Sequence, residues 1–187
     1  THTHYDAELL VAPGLGESVR HGVTTVITGS CSLSLVYTEP LDAADLYSRV
    51  EALPYKPVLK ILETERTWND PESWIQGLQR RALGPNVASM VGHSDIRTVA
   101  MGLDRSTNGD KPTAEERHRM VQMVEDAMEA GFVGMSSMTN PWDRLAGDRY
   151  RSRALPSTYA SWREYGWLHD VLRRTGRVLQ SAPNLNT

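Results

Sequence analysis

Two histidines separated by one residue form the pattern with the clearest chemical potential in this sequence. His2, Thr3 and His4 follow one another near the start of the chain. In an extended segment, residues i and i+2 point to the same side, so both imidazoles can approach a single metal ion. The alternative is a pair of solvated histidines without a role in chemistry, and the spacing by itself leaves both interpretations open.

The single cysteine, Cys31, lies in a turn of small residues at 28 to 32, directly after a segment rich in β-branched residues. A thiolate in such a turn can bind or bridge metal ions. The alternative is a small buried apolar residue, which is the commoner role of a free cysteine. One cysteine excludes an internal disulfide, a zinc ribbon and a CxxC redox centre.

Other polar residues lie at or just after the ends of predicted strands, namely His93, Ser136, Ser137, Gln180 and Ser181. His93 could polarise a carbonyl group or bind a ligand, or it could be a structural histidine near the start of a helix. Serine catalysis is not favoured, because residues 134 to 138 read Gly-Met-Ser-Ser-Met and lack the Gly-x-Ser-x-Gly pattern. The remaining histidines, His21, His118 and His169, fall in helical stretches and are predicted to lie at the surface.

Short β-branched runs alternate with helical stretches along the chain. Strands are predicted at 23 to 28, 86 to 91, 132 to 137 and 177 to 181, after a first strand that ends at His2. Helix starts are predicted at Asp42, at Asp70 followed by Pro71, at the capping box of Thr113 and Glu116, and at Ser161 with Glu164.

Apolar strands separated by helices indicate βαβ units and a parallel sheet covered on both faces. We expect an α/β fold of the (β/α)8 TIM-barrel type, of which this chain supplies roughly the first five βα units. A doubly wound sheet is the competing fold, although no glycine-rich phosphate loop follows a strand. Active sites of such barrels lie at the carboxyl ends of the strands, so His2, His4 and Cys31 are expected to converge there.

The composition is that of an ordinary soluble domain, with 187 residues, 40% hydrophobic content and a formal net charge of -3. There is no apolar run near the ~20 residues that a membrane span needs, and no basic block, so neither a membrane nor nucleic acid is an expected partner. We expect a cytoplasmic location. Residues 1 to 187 are interpreted as one partial barrel domain, with both ends cut from a longer protein.

Several motifs together resemble the N-acyl-D-amino-acid deacylase, or D-aminoacylase, family of the amidohydrolase superfamily. They are His-Thr-His-Tyr-Asp-Ala at 2 to 7, His-Gly-Val-Thr-Thr-Val at 21 to 26, Gly-Ser-Cys at 29 to 31, Val-Gly-His-Ser-Asp-Ile-Arg at 91 to 97, Ala-Gly-Phe-Val-Gly-Met-Ser-Ser at 130 to 137 and Leu-Pro-Ser at 155 to 157. The motifs occur in the family's order and cover essentially the whole chain.

The resemblance implies a zinc enzyme, with one or two ions or another divalent metal, in which His2, His4 and Cys31 hold the metal. Its expected reaction is hydrolysis of the amide bond of small N-acyl-D-amino acids or related N-acyl compounds by metal-activated water. The family's general acid and base is an aspartate that lies beyond this chain, so the chain alone is expected to be inactive. We predict that His93, Ser137 and Gln180 contact the substrate.

One departure and two rival functions remain. Better-known family members have a histidine where this chain has Gln180, so the number and identity of the metal ions are open. A cyclic-amide hydrolase is expected to use a lysine ligand, but Lys56 and Lys60, the only lysines near a plausible strand, do not lie at its end. A metal-free barrel retained for binding is the other rival, and homo-oligomerisation is left open.

Overall fold

A computed structural model describes residues 2–50 and 52–182. Its strands are β1 (Thr25–Thr28), β2 (Asn86–Gly92), β3 (Gly134–Met138) and β4 (Val178–Ala182). Its helices are α1 (Glu8–Val11), α2 (Gly16–Arg20), α3 (Pro40–Val50), α4 (Tyr55–Glu65), α5 (Pro71–Gln79), α6 (His93–Met101), α7 (Leu103–Ser106), α8 (Ala114–Glu129) and α9 (Trp162–Thr175), with a 3-10 turn at Pro156–Tyr159.

The four strands form one sheet in the order β1-β2-β3-β4, and every neighbouring pair is parallel. The predicted parallel order of strands is therefore confirmed, and the sheet is a partial (β/α) barrel. Of the predicted first strand, Thr1 lies outside the described residues, whereas His2 forms a parallel bridge to Ile27 of β1. The start of the described chain thus lies beside β1.

Local capping explains where the helices begin. Asp70 and Ser73 form a capping box at the start of α5, and Thr113 and Glu116 form another at α8. These interactions satisfy backbone N–H groups that have no partner inside the helix. A cap at Asp42 predicts a helix that begins at residue 43, which is three residues late, because α3 already begins at Pro40.

The apolar spacing of Leu46, Val50 and Leu53 predicts that this helix continues to Leu53, and that prediction is also wrong. Helix α3 ends at Val50, and α4 begins after Pro54, which is extended at the N-cap position. Proline at 54 fits this break, because its ring disfavours the helical conformation in the residue before it.

The core lies between the sheet and the surrounding helices. Side chains from β2 and β3 pack with helix residues, and fully buried members include Val91, Met135, Ile96, Val124 and Leu168. This packing holds the carboxyl ends of the strands in fixed positions, where the following loops carry polar residues.

Strand β4 is less covered than the others. Val178 and Leu179 are 56% and 40% exposed, and β4 pairs with β3 alone in the described sheet. The described sheet is therefore open at β4. None of the helices in residues 2–50 and 52–182 has the length and apolar character needed to cross a membrane.

Candidate metal centre

The segment that carries His2 and His4 lies against β1. His2 bridges Ile27, and the Thr3 hydroxyl donates to the Ile27 carbonyl at 2.8 Å. The Nε2 atoms of His2 and His4 are 3.1 Å apart, and the two ring centroids are separated by 5.0 Å. The two imidazoles therefore converge, as the spacing of the residues predicts.

Cys31 lies in a strained turn directly after β1. Cys31 and Ser32 both have positive φ, at 53° and 71°, and Gly29 has φ 74°. The left-handed conformation is energetically unfavourable for residues other than glycine. Interactions with neighbouring residues therefore have to hold this turn in place. At Gly29 itself an added Cβ would come within 1.9 Å of the Met90 carbonyl oxygen, and glycine is therefore required.

Buried Asp6 holds the start of the turn. Its carboxylate accepts the Gly29 N–H at 3.1 Å and 3.3 Å. Burial raises the pKa of Asp6 to about 6, although hydrogen bonds from Gly29 and Tyr47 and the charge of His4 oppose this shift. Burial of the Asp6 carboxylate is energetically unfavourable, but its hydrogen bonds fix the turn that carries Cys31.

Ser136 of β3 holds the turn from its other side. Its hydroxyl donates to the Gly29 carbonyl, and its oxygen accepts the Ser32 N–H at 2.9 Å. Gly92 allows the same close approach, since an added Cβ would meet the Ser32 carbonyl oxygen at 2.3 Å. Contacts with the ends of β2 and β3 therefore fix Gly29 and Ser32, which lie before and after Cys31.

The sulfur of Cys31 lies 3.4 Å from Nε2 of His2, and one ligand atom from each of His2, His4 and Cys31 lies within 4.8 Å of the other two. Zn–N distances near 2.0 Å and Zn–S distances near 2.3 Å in a tetrahedron place ligand atoms ~3.3 to 3.6 Å apart. The His2–His4 separation of 3.1 Å and the His2–Cys31 separation of 3.4 Å are close to these values, and the donor set of two imidazole nitrogens and a sulfur suits a zinc ion. Within residues 2–50 and 52–182, no other group of three or more His, Cys, Asp or Glu side chains converges in this way.

Gln180 of β4 also reaches this cluster. Its Oε1 accepts the Cys31 N–H at 3.1 Å, and its Nε2 lies 3.1 Å from Nδ1 of His2. Gln180 was predicted to contact the substrate, and that role remains a prediction. Its contacts in the structure connect it to the metal-ligand candidates themselves.

His93 and Ser137, the other predicted substrate contacts, are fully buried and bonded to each other through Nδ1 and Oγ at 2.9 Å. The Tyr165 hydroxyl donates to a backbone carbonyl and accepts from Ser137, so Ser137 in turn accepts from His93. The opposite ring nitrogen of His93 faces Glu164 at 2.9 Å. Both side chains are thus engaged with the helix layer, and a contact with substrate remains a prediction for each.

Glu164 connects His93 to Arg97, whose Nε donates to the same carboxylate oxygen at 3.0 Å. Burial raises the pKa of Glu164, but the hydrogen bonds and charges of His93 and Arg97 outweigh burial and leave it lowered. The capping role predicted for Ser161 is present, since its hydroxyl accepts the Glu164 N–H. The Glu164 side chain does not complete a capping box and instead stabilises the contact between α9 and α6.

The remaining candidates lie outside this cluster. His21 and His118 are exposed, as predicted, but His169 is only partly exposed, and burial together with the charge of His93 lowers its pKa. His169 therefore lies only partly at the surface, because its ring packs against Tyr165. Lys56 and Lys60 are exposed on α4.

Sequence reasoning missed Asp6, Gly92 and Ser136 as supports of the turn. Ser136 and Ser137 both lie at the end of the same predicted strand, and alternation places them on opposite faces. Only the register of Ser136 with Gln180 on β4 shows which serine shares the face of the cluster.

Histidine, histidine and cysteine come together beside the carboxyl ends of parallel strands, which is where α/β barrels carry their active sites. No family model matched the chain. An uncharacterized protein of Mycobacterium tuberculosis is 55% identical over 186 residues, which cover 99% of this chain and 30% of that protein. The N-acyl-D-aspartate deacylase and the D-aminoacylase of Alcaligenes xylosoxydans are 30% and 32% identical over 139 and 140 residues, covering 74% and 73% of this chain and 25% of each relative.

Solved structures agree with these relatives. A D-aminoacylase with a binuclear metal centre superposes with a TM-score of 0.71 and 26% identity, covering 97% of this chain and 33% of that one. An N-acyl-D-glutamate deacylase from Bordetella bronchiseptica, complexed with zinc and a phosphonate inhibitor, gives 0.67 and 26%, with 96% and 32% covered. The chain belongs to the N-acyl-D-amino-acid deacylase (D-aminoacylase) family of the amidohydrolase superfamily, and it spans about a third of the length of these relatives.

Proposed function

We propose that the natural protein containing this chain is a metal-dependent hydrolase that cleaves the amide bond of N-acyl-D-amino acids. The observation that carries this proposal is the convergence of His2, His4 and Cys31 within 4.8 Å, beside the carboxyl end of β1. A divalent metal in such a site lowers the pKa of water and polarises a carbonyl group, which is the chemistry that amide hydrolysis requires at neutral pH.

The residues of this chain supply the metal-binding part of that machinery. His2 and His4 offer two imidazole nitrogens from one segment beside β1, and Cys31 offers a sulfur from the turn after β1. Asp6 and Ser136 hold the turn so that the sulfur faces the imidazoles. Zinc is the proposed metal because this nitrogen and sulfur donor set suits it and a relative binds zinc.

The test is hydrolysis of N-acetyl-D-amino acids by the zinc-loaded natural protein. The wild type should hydrolyse the D-enantiomers faster than the L-enantiomers. A chelator should abolish turnover until zinc is restored. Cys31→Ala should reduce turnover at least 100-fold, because one of the three proposed metal ligands is lost, whereas the exposed His118→Ala should leave turnover unchanged.

Two results would overturn the proposal. One is undiminished hydrolysis by Cys31→Ala with the same dependence on zinc. The other is a zinc-loaded protein that opens cyclic amides but leaves N-acyl-D-amino acids intact, which is the behaviour expected of the rival cyclic-amide hydrolase.

A further inference from the structure

The amide of Gln180 bridges two of the three candidate metal ligands. Its oxygen lies 3.1 Å from the Cys31 backbone nitrogen, and its nitrogen lies 3.1 Å from Nδ1 of His2. Gln180 belongs to β4, whereas His2 lies beside β1, so one side chain connects the two outer ends of the described sheet.

The direction of one hydrogen bond fixes the direction of the other. The backbone N–H of Cys31 can only donate, so the Gln180 group facing it must be the amide oxygen. The amide nitrogen then faces His2, and an amide nitrogen can only donate. Nδ1 of His2 must therefore accept, which leaves the ring proton of a neutral His2 on Nε2.

This proton position opposes metal binding at the cluster. Nε2 is the atom of His2 that faces both His4 and Cys31, at 3.1 Å and 3.4 Å. A histidine that binds metal through Nε2 presents a lone pair there and donates the Nδ1 proton to an acceptor in its surroundings. With His2 in that tautomer, Nδ1–H and the Gln180 amide nitrogen would be two donors facing each other.

We propose that Gln180 is a positioning residue that lowers the affinity of the site for its metal. The inference rests on the proposed function, since it takes the cluster to be the metal centre. When metal occupies Nε2 of His2, Gln180 has to give up either its bond to Cys31 or its bond to His2. A carboxylate at the same position would accept from both N–H groups and would remove this conflict.

The experiment compares the zinc affinity of the metal-free natural protein with that of Gln180→Glu, by titration against a competing chelator. Gln180→Glu should bind zinc about 10- to 100-fold more tightly, which is the usual range for partners of metal ligands. Ser181→Glu is the matched control for charge, because it adds a carboxylate to the next, exposed residue on the opposite face of β4. Ser181→Glu should change affinity less than threefold.

A second measurement locates the ring proton of His2 directly. The ¹⁵N shifts of His2 in the metal-free wild type should show the proton on Nε2, and in Gln180→Glu they should show it on Nδ1. Equal zinc affinities of the two glutamate variants, or an Nδ1 proton in the wild type, would overturn the inference and leave the proposed function intact. Zinc binding that is insensitive to Cys31→Ala would contradict the proposed metal centre and would overturn both.

Discussion

Cys31 takes a left-handed backbone conformation, and so does Ser32 after it. Each such residue costs on the order of 1 to 3 kcal/mol, and the fold offsets this through hydrogen bonds to the same turn. Asp6 accepts from Gly29, Ser136 accepts from Ser32, and Gln180 accepts from Cys31. Hydrogen bonds from three different segments thus stabilise the strained turn, as expected if its geometry positions the Cys31 sulfur.

Ser136→Ala tests the support of this turn. The substitution leaves the Ser32 N–H without its acceptor and releases the Gly29 carbonyl. We expect the zinc affinity of the natural protein to fall about 10-fold or more, because Cys31 loses its fixed position. Titration with zinc measures this, and Ser181→Ala on the neighbouring strand is the control. Equal affinities for the two variants would contradict the proposed support.

The sequence predicts which residues are candidate metal ligands better than it predicts the contacts of the surrounding residues. The i, i+2 spacing of His2 and His4 and the place of Cys31 after a strand were enough to predict their convergence. The neighbourhood of His93 and Ser137 was not predictable in the same way. Their partner, Glu164, lies on a helix far along the chain, and its part in the network depends on how α9 packs against α6.

The first turn of α6 connects several elements around the candidate site. The Ser94 hydroxyl bonds to that of Ser32 at 2.8 Å, next to Cys31. The buried carboxylate of Asp95 accepts backbone N–H groups of Val36, Tyr37 and Thr38. The loop after β1 is thus held by the helix that follows β2.

Asp95→Asn tests this role. An asparagine side chain keeps one acceptor oxygen, so some of the buried N–H and O–H groups that bond to Asp95 lose their partner. We expect the free energy of unfolding to fall by ~3 kcal/mol and the amides of residues 36 to 38 to exchange faster. Denaturant titration and hydrogen exchange measure these effects. The fully exposed Asp148→Asn is the control, and a loss no greater than in that control would contradict the role.

The contact between α6 and α9 predicts a response to acid. The pKa of Glu164 is lowered below its ordinary value of 4.5, so its ionised form stabilises the folded state. This contribution is fully present above about pH 4.5 and is lost as the pH falls through the lower pKa of the folded state.

Glu164→Gln should therefore be less stable than the wild type at neutral pH, and the difference should shrink in acid below pH 4.5. Thermal unfolding from pH 7 to pH 3 measures this dependence, with the exposed Glu63→Gln as control. A stability difference that stays constant over this range would be inconsistent with an ionised Glu164 in the fold.

Helix starts were predictable where the signal is local, as in the capping boxes at Asp70 and Thr113. The break between α3 and α4 was missed because the apolar spacing continues through Leu53. The proline at 54 was the local signal that could have shown it. Strand positions were predictable to within about two residues, since the β-branched runs are bounded by turns.

For the whole molecule, the order of parallel strands followed from the alternation of strands and helices. The strand order alone places β4 at an edge of the described sheet. The exposure of Val178 and Leu179 on β4 is visible only in the structure. The relatives are about three times as long as this chain. We therefore expect further chain to cover β4 in the natural protein.

Hydrogen exchange of the natural protein tests this expectation. Amides of residues 178 to 182, including those that point away from β3, should be protected to the same extent as amides of the central strand β2. The exposed Gly109 turn after α7 provides a fast-exchanging reference within the same chain. Alternating fast exchange along β4 would show that its outer edge stays open in the natural protein.

Zinc X-ray absorption spectroscopy on the natural protein tests directly whether His2, His4 and Cys31 together hold a metal ion. We expect one sulfur at ~2.3 Å and nitrogen or oxygen ligands at ~2.0 to 2.1 Å in the wild type. Cys31→Ser should lose the sulfur and retain the lighter ligands. A wild-type spectrum without sulfur, or a sulfur contribution that persists in Cys31→Ser, would contradict metal binding by these three residues.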